Sequence, residues 1–286
     1  MPPPPLDRSE GEPDFYIRRD PDPEPRGSRR KSSRTPSPAA GAARSRSGTG
    51  ALPKDVADEL AAARNGLAGA RRRGGAAKVN KEKDLAERLG AAADAYERDR
   101  YADSSRITKK LLVAAPGSTA VRELHGLACY RLGKWEEAIK HLEIVVAATA
   151  EPDQIPVLMD CYRAMGKNKL VEALWGDLKA ASPDVDVLVE GRLVLASTRA
   201  AAGDVAGGID LLLSSGAGRA YRHPAERHLR QWYLLGDLLE KSGDIAGARE
   251  MFARVVRTDP EIADAADRLA GLGPARRRPR AGARWT

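Results

Sequence analysis

Two cysteines and four histidines are the residue types in this 286-residue chain best suited to hold a metal ion or to attack a substrate. Cys129 and Cys161 lie far apart, and the chain has no CxxC and no HxxxH spacing, the intervals that bring two ligands onto one ion. The cysteines therefore read as small buried hydrophobes. The histidines, His125, His141, His223 and His228, are scattered. A phosphate-cradling GxxxxGKS or GxxxxGKT, a GxGxxG after a strand and a GxSxG elbow are all absent. Asp and Glu are abundant, but carboxylates spread along a chain form a solvated surface far more often than a catalytic pair. The expectation is a protein that binds, not an enzyme, with no cofactor and no metal.

Charge is the next source of chemistry, and it is unevenly placed. Residues 1–83 carry 18 Lys/Arg against 11 Asp/Glu, and the last 16 residues carry five arginines and no acid. The stretch between them, 84–270, holds 25 bases against 29 acids. A mildly acidic body thus stands between two basic ends. Arg29, Arg30 and Lys31, then Arg71, Arg72 and Arg73, then Arg276, Arg277 and Arg278 are the candidate nucleic-acid contacts, since clustered cations neutralise phosphates and release counterions. The competing reading is of solvated, self-repelling tails. Eleven of the 19 prolines fall in the first 53 residues, with almost no large apolar side chains, so 1–53 is expected to be a disordered tail. Residues 54–83 are expected to form a short helix over 54–70 and a basic linker, and 273–286 a second basic disordered tail. No run of 18 apolar residues exists and the chain opens on proline and acid, so a soluble, cytoplasmic protein with no membrane association is expected.

Between the tails the apolar spacing is helical. Trp135, Ala138, Ile139, Leu142, Val145 and Val146 fall on one helical stripe. A shift of 110 residues carries most of that stripe onto Ile245, Ala248, Phe252, Val255 and Val256, and carries Gly126 onto Gly236 and Gly133 onto Gly243. Unrelated helices can share a stripe, but not the flanking glycines as well, so the chain contains an internal repeat. Gly133, Gly166, Gly203 and Gly243 mark turns between paired helices, and Pro116, Pro183 and Pro260 mark the ends of second helices. The widest interval points to a long connection within 214–228.

The last unit resembles a tetratricopeptide repeat (TPR) through Trp232, Leu235, Gly236, Ala248, Phe252 and Pro260, with Leu239 in the place of the usual Tyr. The unit around Gly126, Ala138 and Leu142 and the one around Trp175 and Pro183 match in part. Weaker units surround Tyr101, Ser104 and Pro116, and Gly203 and Leu212. The resemblance implies an all-α solenoid of about five helical hairpins over 84–272, with a capping helix over 262–272. It also implies that His125 occupies a core position usually held by Leu. Function would then fall to the groove lined by the first helix of each hairpin. The family's groove positions correspond to Glu123, Leu127, Tyr130, Arg131, Asp160, Arg163, Arg230, Tyr233, Asp237 and Lys241. Leu127, Asp160 and Asp237 stand where a clamp for a terminal carboxylate would need Asn, so an internal peptide segment or a helix of a protein partner fits better. An adaptor or scaffold is the expected function, and a nucleic-acid- or ribosome-associated protein held by its tails is the alternative.

Overall fold

The computed structural model describes the backbone of residues 76–273 and the side chains of residues 83–273. The expected tail over 1–53, the helix over 54–70, the cluster Arg71 to Arg73 and the arginines from Arg276 onward lie outside the described residues. Within them there are eleven α-helices, one short 3-10 turn (Pro152–Gln154) and no strand. The helices are α1 (Ala76–Glu97), α2 (Tyr101–Ala114), α3 (Thr119–Arg131), α4 (Trp135–Thr149), α5 (Ile155–Ala164) and α6 (Asn168–Ala180). They continue as α7 (Val185–Ala201), α8 (Val205–Ser214), α9 (Glu226–Ser242), α10 (Ile245–Thr258) and α11 (Ala265–Gly271). Residue 84, where the sequence pattern suggests that the repeats begin, lies inside α1.

Consecutive helices pack in pairs, α1 with α2 through α9 with α10, and each second helix also packs on the first helix of the next pair. The helix α11 closes the stack against α10. This is the all-α hairpin repeat that the spacing predicts. Each of the four marked glycines ends a first helix with a left-handed backbone: φ is 71° at Gly133, 72° at Gly166, 98° at Gly203 and 87° at Gly243. That conformation costs an L side chain energy and costs glycine almost none. In the first hairpin Asp99 takes the same place at φ 58°, which is why no glycine announces that turn. Pro116, Pro183 and Pro260 each follow a second helix, and residues 215–225 form the long connection into α9.

Close packing within a hairpin depends on a pair of positions seven residues before the turn residue and five after it. The pairs are Ala92 and Ser104, Gly126 and Ala138, Ala196 and Gly208, and Gly236 and Ala248, all of them small and all buried on facing helices. A methyl group on Gly126 would lie 2.8 Å from the Leu142 side chain, and one on Gly208 would lie 2.9 Å from the Ala196 carbonyl oxygen. In the fourth hairpin the glycine and alanine have exchanged helices, so the summed volume is kept and the pattern is hidden. The third hairpin breaks the rule, with Met159 and Val171 both buried at these positions.

The core has two clusters. One runs from Leu89 to Leu195 and includes Leu111, Leu124, Leu142, Met159 and Trp175. The other runs from Val189 to Ala265 and includes Leu212, Trp232, Leu235 and Phe252. The helix α7 is their shared wall, giving Val194 and Leu195 to the first and Val189, Leu193 and Ala196 to the second. Cys129 and Cys161 are buried free thiols in the first cluster. No helix among the described residues is long and apolar enough to cross a membrane.

Candidate functional site

The first helices α1, α3, α5, α7 and α9 touch one another in chain order, which places their candidate residues in one row. Hydrogen bonds join neighbouring units along this row, between α3 and α5 and between α7 and α9. The Tyr130 hydroxyl on α3 donates to Asp160 Oδ2 on α5 at 2.8 Å, and Arg163 Nε donates to the other oxygen of Asp160 at 2.7 Å. Gln154, just before α5, donates to the Glu123 carboxylate. Between α7 and α9, Arg230 Nη1 donates to Glu190 Oε1 at 2.6 Å, while its Nη2 donates to Glu226 at 2.6 Å. At the end of the row the Tyr233 hydroxyl donates to Asp264, and Arg268 on α11 donates to Asp237 at 2.9 Å and to Glu240.

These contacts set the protonation chemistry. Burial, reinforced by the Asp160 carboxylate, pushes the Tyr130 phenol well above its ordinary value. Burial raises Glu190 as well, and Arg230 offsets that only in part. For Arg268 burial acts downward, but the bonds to Glu240 and Asp237 outweigh it and hold the guanidinium above its usual range. The row is charged, and its members are paired with one another.

The structure separates the ten expected groove residues into three kinds. Glu123, Leu127 and Asp160 are 1 %, 7 % and 1 % exposed, so they belong to the inner wall and not to an open surface. The resemblance puts them on the groove face of their own helices, but the neighbouring first helix packs close enough to cover them. Tyr130, Arg131, Arg163, Arg230, Tyr233 and Asp237 are half-buried, each held by a neighbour. Arg131 lies over the Tyr101 ring, 4.3 Å from its centroid. Lys241 is exposed beside Asp237 at 2.7 Å. Gln154, Glu190, Asp264 and Arg268 complete the row and were not expected from sequence. Glu190 was legible: it precedes Gly203 by the same thirteen residues by which Arg230 precedes Gly243.

The histidines correct a second expectation. They are not all scattered: the hairpin of α3 and α4 brings His125 and His141 edge to face, with ring centroids 4.8 Å apart. His125 is buried at 2 % exposure in the core position the resemblance assigns it. His228 instead stacks on Tyr221 at 3.9 Å and accepts the Ala225 N–H at 2.9 Å, at the start of α9.

No family model matches this chain, and no curated protein does. Among solved structures it is similar to the crystal structure of TTC0263, a thermophilic TPR protein of Thermus thermophilus. The identity is 17 %, the match covers 66 % of this chain and 98 % of that one, and the TM-score is 0.53. That likeness is one of fold, and it agrees with the pairing of helices: this chain folds as a TPR-like stack of helical hairpins.

Proposed function

We propose that this protein is a non-enzymatic adaptor that binds a protein partner along its row of first helices. The observation that carries the reading is the hydrogen-bonded row itself. Tyr130 with Asp160, Arg230 with Glu190 and Asp237 with Arg268 fix polar side chains of both signs before any partner arrives. Preorganised groups lose little side-chain entropy on binding, which favours recognition of an extended segment or helix. Carboxylates and guanidinium groups also keep hydrogen-bonding capacity beyond the bonds they make within the row. Arg163, Tyr233 and Lys241 are the residues proposed to meet the partner first.

Site-specific photo-crosslinking in the full chain tests this. A crosslinker at Lys241, on the row, should capture a discrete partner, whereas one at Val113, 84 % exposed on the second helix α2, should not. Equal capture from both positions counts against the proposal.

The charge distribution favours a second reading, association with nucleic acid through the basic ends. Such binding should weaken by about 0.9 log units per phosphate contact for each tenfold rise in salt on duplex DNA, and should vanish when both tails are removed. Capture that survives nuclease and tail deletion selects the adaptor.

A further inference from the structure

The hairpin of α3 and α4 carries a polar cluster in a place that its sister hairpins fill with hydrocarbon. Eight residues before and eight after the turn glycine stand Leu158 and Leu174 in the third hairpin, Leu195 and Leu211 in the fourth, and Leu235 and Met251 in the fifth. In the second hairpin the same two positions are His125 and His141. Glu137 lies one helical turn before His141, and the ligand atoms of all three residues fall within 4.8 Å of one another. The Glu137 carboxylate is 3.5 Å from His141 Nε2 and 3.8 Å from His125 Nε2. These separations exceed ordinary hydrogen bonds. They are close to the ~3.3 Å expected between ligand atoms set tetrahedrally at about 2.0–2.1 Å from a shared zinc ion. We propose that His125, Glu137 and His141 form a binding site for a divalent transition-metal ion, of the kind that imidazole and carboxylate hold together, such as zinc.

The surroundings prepare the ligands. The Thr108 hydroxyl lies 2.8 Å from the Ser104 carbonyl oxygen and 2.8 Å from His125 Nδ1. Donation to that carbonyl leaves the hydroxyl to accept from Nδ1–H, the tautomer that a metal on Nε2 requires. Such a bond on the far side of a ring is how metal-ligating histidines are oriented. Thr108 is itself an exception, because the equivalent positions in the other hairpins are Leu142, Trp175, Leu212 and Phe252. His141 is 6 % exposed and its Nδ1 has no hydrogen-bond partner, so nothing commits its proton and Nε2 can face the ion. Cys129 Sγ lies 3.7 Å from His125 Nε2. Glu137 is 44 % exposed, so solvent reaches the cluster from its side. An ion there would clip α3 to α4 across the turn at Gly133, independently of which partner the protein binds.

The test is titration of the chelator-treated full chain with Co2+, read by its visible ligand-field bands, followed by displacement with Zn2+. A single bound ion per chain is expected, with tetrahedral bands that Zn2+ removes. Glu137→Gln changes a half-exposed ligand and should weaken Co2+ binding at least tenfold, while His228→Gln leaves it unchanged. Thr108→Val touches no ligand atom and should weaken binding about 10–100-fold, the usual effect of removing a bond behind a ligand. Absence of a one-to-one Co2+ spectrum in the wild-type chain overturns the proposal. So does unchanged affinity in Glu137→Gln, or an equal loss in His228→Gln.

Discussion

Arg230 holds two carboxylates at once, and the consequences of removing it can be worked out from the charges it leaves behind. Glu190 is already raised by burial, and Glu226 and Asp186 add repulsion that only Arg230 opposes. Arg230→Met would leave Glu190 partly buried without its counter-ion. Loss of one partner from a fully buried pair costs about 3–5 kcal/mol. Glu190 keeps 32 % side-chain exposure, so solvent screens it and about 1–2 kcal/mol is expected. The pH dependence has a definite sign. In the variant the folded-state value of Glu190 moves further above its unfolded value, so the folded state gains a proton as pH falls. The deficit should be largest at neutral pH and shrink through mildly acidic pH, as measured by urea denaturation at several pH values. A deficit independent of pH would place the loss in packing of the arginine stem.

Among the elements, the starts of the second helices differ in a way that their sequences explain. The turn glycine is followed by Asp204 before α8 and by Asp244 before α10, and their Oδ1 atoms accept the N–H of Gly207 at 2.8 Å and of Gly247 at 3.0 Å. Lys134 and Lys167 occupy the same place before α4 and α6 and make no side-chain cap. Asp204→Ala should therefore cost about 1 kcal/mol, the usual effect of losing such a cap. Lys167→Ala, measured beside it by thermal denaturation, should cost much less. This level of the structure was legible in sequence because a turn glycine, a cap and a helical stripe are all local. What stayed hidden was set by neighbours. Asp99 replaces the turn glycine and weakens the signature of the first hairpin, and the exchanged pair Ala196 and Gly208 weakens that of the fourth. Asp160 and Glu123 lie on the predicted face, yet the approach of the next first helix, which no single helix encodes, buries them. His125 and His141 stand symmetrically about Gly133, so their meeting could have been read from the hairpin register, but a search for ligands within one helix passes over it.

Across the whole stack, each hairpin contacts mainly its neighbours, so a local loss should remain local. The two core clusters sharpen that expectation, because α7 alone contributes fully to both. Phe252 is wholly buried in the second cluster, where its ring meets Tyr233 edge-on at 5.8 Å and lies under the Arg268 guanidinium at 4.9 Å. Phe252→Ala removes a large side chain that Gly236 was shaped to admit, and about 3–5 kcal/mol of stability in the last hairpin should go with it. Hydrogen exchange followed residue by residue can locate the loss. Protection should fall across α9, α10 and α11, the loss should fade toward α7, and α3 and α4 should exchange as in the wild type. An equal loss from α3 through α10 would mean that the stack unfolds as one cooperative body. In that case α7 would transmit strain between the clusters instead of dividing them, and a partner bound at one end of the row would be felt at the other.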